Sequence, residues 1–129
     1  MNASELRTEK RDRPLVAVVC GVPLLGEAMQ AALDFAEVRL FSEKGGDVAG
    51  LLEWLRPDAV VVDTEGGAAD ATPFAIAQQR PLLHVGVRER ALRLFHHGEW
   101  QDVANGEGPT PESIRNVVAG ALFAREGAR

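Results

Sequence analysis

The chain has 129 residues, 14 Lys and Arg against 19 Asp and Glu, 46% hydrophobic residues and a single cysteine. This is the composition of one globular domain, long enough to bury a core without a disulfide or a structural metal. A formal charge of −5 argues against nucleic-acid binding by this chain alone, because that affinity comes mainly from Lys and Arg neutralising phosphates. No apolar stretch approaches the roughly 18 residues of a membrane span, so the expectation is a soluble cytoplasmic protein whose lone thiol stays reduced.

Residues 1–13 hold seven charged side chains and one sizeable apolar residue, Leu6. That is too little apolar surface to offset the entropy of ordering them, and they are expected to form a flexible arm. The folded domain is expected over 14–126, with a short tail at 127–129. Leu15–Cys20 is apolar and rich in β-branched residues, bounded by Gly21 and Pro23, and predicts a central strand. Leu25, Ala28, Met29, Ala32 and Leu33 recur at spacings of three and four behind Pro23, which predicts a helix over 23–36. Residues 37–42 read as a second strand. Val48, Leu51, Leu52 and Leu55 stripe a second helix that ends at Arg56-Pro57.

Ala59–Val62 is the most apolar strand and terminates at Asp63, before a loop of small residues over 64–72 and a short third helix over 73–79. A fourth strand is expected over 81–87. Residues 88–97 read as a charged helix with Gly98 at its C′ position and His96 and His97 at its solvated end. A fifth strand follows over 100–104. The last helix opens on Thr110 as N-cap, Pro111 at its first position and Glu112 beside the positive end of the dipole. It carries Ile114, Val117, Val118, Ala121 and Leu122 on one stripe and stops at Gly127.

Five such βα units make an α/β, flavodoxin-like three-layer sandwich with parallel strand order 2-1-3-4-5. In these sheets, reactive side chains sit at the carboxyl ends of the strands flanking the point where the order reverses, here strands one and three. That rule singles out Cys20-Gly21 and Asp63.

The residues at this point resemble the receiver domains of two-component response regulators, of the kind joined to helix-turn-helix transcription factors. The resemblance covers 14–126. It is carried by Val-Cys-Gly-Val-Pro-Leu-Leu-Gly-Glu-Ala-Met (19–29), by Arg-Pro-Asp-Ala-Val-Val-Val-Asp (56–63) and by Thr-Pro-Glu-Ser-Ile (110–114). It implies that Asp63 is the candidate phosphoacceptor. The family's other functional positions are replaced: its two Mg²⁺-holding acids by Cys20 and Gly21, its phosphoryl-sensing hydroxyl by Gly86 beside Val87, its Lys by Asn105, and its switch aromatic near Asp102. Phosphoryl transfer to a carboxylate needs a divalent cation and a fixed positive charge, and a thiol is a poor ligand for a hard cation. Glu65, two residues past Asp63, is the remaining acid near this pocket in the sequence.

The leading expectation is therefore a degenerate receiver that binds no cofactor and works as a dimerisation or protein-interaction module independent of phosphorylation. Trp100 and Phe123 would serve as its aromatic anchors on the family's usual pairing face. A phosphorelay receiver using Asp63 with help from Glu65 is one alternative. A small-molecule sensor using the pocket vacated around Cys20, Gly21, Asp63 and Gly86 is another. No nucleophile and base at a recognisable spacing suggests an enzyme.

Overall fold

The computed structural model describes residues 13–21, 23–43, 47–86, 89–103 and 109–127. Ten elements follow one another: β1 (Leu15–Cys20), α1 (Pro23–Ala32), β2 (Glu37–Ser42), α2 (Val48–Leu55), β3 (Ala59–Val62), α3 (Glu65–Gln78), β4 (Leu82–Gly86), β5 (Ala91–His96), β6 (Glu99–Asp102) and α4 (Pro111–Gly127). The strands form one sheet in the order β2-β1-β3-β4-β5-β6. Each of β1, β3 and β4 is buried along its whole length, as a continuous Val- and Leu-rich run covered on both faces must be. β1 pairs in parallel with β2 and β3, and β3 with β4.

Alternation of side chains divides the core in two. On one face Ala17, Val19, Val60, Val62 and Leu82 pack with Leu52 and Leu55 of α2 and Phe74 of α3. On the other, Val16, Val18, Val61 and Val85 meet Met29 of α1 and Ile114, Val118 and Leu122 of α4. At the amino ends of the strands, Asp58 accepts the Leu15 N–H at 2.8 Å and ion-pairs with Arg80 at 3.7 Å. One carboxylate thereby ties the starts of β1 and β3 to the turn before β4.

The α/β class and the order 2-1-3-4-5 stand as expected, and the difference lies in the fourth unit. The helix expected over 88–97 does not form across its described residues, 89–97: β5 runs antiparallel to β4, and β6 antiparallel to β5. The reason is two-sided burial. Leu92 is fully buried against α4 on one face of the sheet, while Phe95 is buried in the core of the opposite face and packs on Trp100 at 5.2 Å. A helix with one apolar stripe buries one side only, so tertiary packing overrides the helical pattern. Gly98 is accordingly no helix cap. With His97 (φ 57°) it forms the two-residue turn between His96 and Glu99, and positive φ at both positions is the type I′ geometry that matches strand twist. The His96 and His97 rings stack there at 3.9 Å rather than ending a helix.

The third helix is longer than its pattern suggests and begins directly after Asp63, so that residues 65–72 are helical rather than a loop. Thr64 is its N-cap, with the hydroxyl accepting the Gly67 N–H at 2.9 Å. Pro73 lies inside the helix on its exposed side, where it deletes one main-chain donor. One turn back, the Thr72 hydroxyl donates to the Ala68 carbonyl at 2.6 Å. Replacing Thr64 with Ala is expected to cost about 1 kcal/mol of stability, measurable as a lower urea midpoint at unchanged slope.

Candidate functional site

The carboxyl ends of β1 and β3 meet at one hydrogen bond, in which the Gly21 N–H donates to Asp63 Oδ1 at 2.8 Å. Asp63 is half-buried and is followed at once by the capping Thr64. A β-carbon on Gly21 would stand 3.3 Å from Thr64 Cγ2, 3.7 Å from Glu43 Oε2 and 3.8 Å from Asp63 Oδ1. Two carboxylates thus approach the same point. Glu43 also covers Gly66, whose β-carbon would lie 2.8 Å from Glu43 Oε1.

Glu43 was not legible as a site residue in the sequence, because it follows β2, a strand away from the expected reversal point. The signal was the register. Cys20 pairs with Ser42, so the next residue on each strand brings Glu43 beside Gly21. At the end of β4 the pattern repeats. The nearest atom to a β-carbon on Gly86 would be Glu89 Oε1, at 2.7 Å, so a carboxylate lies over this glycine.

Cys20 does not open onto this edge. Its side chain is buried in the core beneath α1, and its Sγ would be 3.7 Å from a β-carbon on Gly26. Burial, with Asp63 adding to it, pushes the thiol up to about 11, so it stays protonated at neutral pH and is unsuited to ligate a cation. Glu65 is exposed in the first turn of α3, where the helix dipole favours a negative charge. Asn105 lies outside the described residues.

The arrangement therefore brings together Gly21, Asp63, Thr64 and Glu43 at one end of the sheet, with Gly86 and Glu89 at the end of β4. It does not bring Trp100 and Phe123 together. Trp100 packs against the α2–α3 face of the core, beneath the Arg93 guanidinium at 4.9 Å. Phe123, on α4, is 46% exposed and packs on Phe35 at 5.7 Å, and Phe35 rests on the α1–α4 face of the core. The two anchors flank opposite sides of the sheet.

No family model matches the chain, and no curated protein matches it. Two solved structures do. One is the anti-anti-sigma factor PhyR from Bartonella quintana, 14% identical, with a TM-score of 0.62 over 99% of this chain and 55% of that one. The other is the response regulator PhyR from Brucella abortus, 16% identical, with a TM-score of 0.65 over 98% of this chain and 55% of that one. The chain spans about half the length of each. At these identities the likeness establishes the α/β fold. No helix among the described residues is long and apolar enough to cross a membrane.

Proposed function

We propose that this chain is a degenerate receiver-like module that acts in signal transduction through protein contacts and not by carrying a phosphoryl group on Asp63. The observation that carries the reading is the end of β1, where the two positions at which receivers hold Mg²⁺ are a buried thiol, Cys20, and Gly21, which meets Asp63 with its N–H. A phosphoryl group on Asp63 would add negative charge beside Glu43, which approaches the same point. Phosphoryl transfer is catalysed by positioned positive charge, so carboxylates at this edge assist it only by holding a cation, and Cys20 and Gly21 take the place of the two acids that do so in receivers.

Mg²⁺ would find fewer acids here than in a receiver. Asp63 and Glu43 are the carboxylates near Gly21, Cys20 stays a neutral buried thiol, and among the described residues no three His, Cys, Asp or Glu lie close enough together to hold a metal ion. Mg²⁺ is commonly held by one or two carboxylates with water and phosphate completing its octahedron, so Asp63 and Glu43 are the donors it would have here. The two similar structures are a response regulator and an anti-anti-sigma factor. They support a protein partner as the output.

A second reading, a phosphoacceptor with Glu43 in place of a lost acid, draws on the approach of Glu43 and Asp63 to the same point. Intact mass after incubation with acetyl phosphate and Mg²⁺ separates the two. The expected result is an unmodified protein for both wild type and Asp63→Asn. A phosphoryl adduct on wild type that Asp63→Asn lacks overturns the degenerate reading in favour of the second.

A further inference from the structure

We propose that residues 89–98 form a two-state element: β5 with its turn, as described above, and an α-helix that leaves the sheet and lets β6 pair directly with β4. Three independent features carry the inference, and none depends on the signalling role.

The first is topological. β5 is antiparallel to both β4 and β6, so β4 and β6 point the same way. Removing β5 from between them leaves two strands already oriented for a parallel ladder. The segment between Gly86 and Glu99 is about a dozen residues, the length a parallel crossover requires. The alternative state therefore needs no reversal of any other strand.

The second is that the segment's sequence is written for a helix as well as for a strand. Ala91, Leu92, Leu94 and Phe95 occupy i, i+1, i+3 and i+4, one continuous apolar face at 3.6 residues per turn. Glu89 precedes Arg93 by four, the favourable order for a helical ion pair. Glu89 also lies at what would be the positive helix end and His96 and His97 at the negative end. The same residues alternate as a strand, which is why Leu92 and Phe95 reach opposite cores in the observed state.

The third is strain at both ends of the strand. Arg90 (φ 54°) and His97 (φ 57°) are held in the left-handed region, an unfavourable conformation for residues with a β-carbon. Both would relax to ordinary helical angles in the alternative state. The strand state is thus paying a local conformational cost at the two points where the switch would hinge. Glu89, packed over Gly86 at the Asp63 edge, would become part of the first helical turn. Any partner that discriminates between the two surfaces shifts the population in proportion to its differential affinity.

The test is ¹³C chemical-exchange saturation transfer NMR on the full chain, read at Ala91–His96. We expect a minor state whose ¹³Cα shifts are helical. His97→Ala combined with Gly98→Ala penalises the turn and favours the helix, and should raise that population about tenfold or more. Arg90→Gly combined with His97→Gly relieves the turn and penalises the helix, and should lower it by about the same factor. If wild type and the Ala variant both lack exchange at these residues, or if their minor state has coil or extended shifts, the two-state inference is wrong.

Discussion

Leu92→Ala is expected to lower the unfolding free energy by about 2–5 kcal/mol, the range for truncating a fully buried leucine whose surroundings relax only in part. Leu92 is 0% exposed and belongs to the core cluster formed with Leu83, Val85, Ile114 and Val118. It lies on β5, on the face of the sheet whose core includes Ile114, Val118 and Leu122 of α4. Its neighbour Arg93 points to the other face, stacking on Trp100 at 4.9 Å and pairing with Asp102 at 4.0 Å, with the two side chains 43% and 87% exposed. An ion pair so open to solvent contributes little, and Arg93→Ala should cost less than about 1 kcal/mol. Urea denaturation of the two variants checks the contrast. Similar losses at both positions would contradict the alternation that places β5 inside the sheet.

The second large effect concerns Cys20. Its ionisation is raised from 9.0 to about 11, first by burial and then by the negative charge of Asp63. Below pH 9 the thiolate fraction is therefore about a hundredfold smaller than that of an unperturbed thiol. Alkylation of the native protein by iodoacetamide at pH 8 should be slower than that of the urea-unfolded chain by about that factor or more. Asp63→Asn removes the unfavourable charge and should speed native alkylation, while leaving it well below the unfolded rate, since burial is the larger cause. The same shift has a stability consequence of definite sign. The folded thiol holds its proton more tightly than the unfolded one, so its contribution is complete below about pH 9 and is lost as pH rises toward 11. Alkylation of native Cys20 as fast as that of the unfolded chain would exclude a buried, protonated thiol.

How far the sequence could be read depended on whether local pattern and tertiary packing agreed. They agree in β1 and β3, where uninterrupted Val and Ala runs between punctuating residues define strands buried on both faces, and both strands have the bounds the pattern gives. They agree in α4. There Thr110 and Ser113 cap one another, with the Ser113 N–H to Thr110 Oγ1 at 3.0 Å and the Thr110 N–H to Ser113 Oγ at 2.8 Å. They diverge in α3, where Gly66, Gly67 and Pro73 look like breakers. There the run of Ala68, Ala71 and Ala75 allows the helix to lie close on the sheet despite a poor intrinsic propensity. They diverge most at β5, because a stripe at i, i+1, i+3 and i+4 is compatible with either period over so short a length.

The candidate site was half legible for a related reason. Asp63 and Gly21 follow from the rule about strand ends, and both are in place. Glu43 and Glu89 come from the far sides of their strands' neighbours, and only the register between β1 and β2 and the hairpin after Gly86 bring them in. A composition that looks neutralised by Cys20, Gly21 and Gly86 therefore remains acidic in three dimensions, through Glu43 just after β2 and Glu89 in the turn before β5. The aromatic pair Trp100 and Phe123 failed for the opposite reason. Both were assigned to a face built on the helix that β5 replaces.

The strand order has a consequence for how the sheet can be assembled. After β1, spatial order follows chain order through β3, β4, β5 and β6, so during synthesis each new strand is added at the same growing edge. The slow steps come early, when β1 must pair across intervening helices with β2 and β3. The later steps from β4 to β6 close local hairpins, which form in microseconds. A ribosome-bound intermediate ending at β4 would expose an edge strand that is apolar but for His84, the kind that invites aggregation. The finished sheet instead ends on β6, four residues long with Glu99 and Asp102 at its ends. The meander thus acts as a terminator, capping a parallel core whose own edge would be unsafe to leave open.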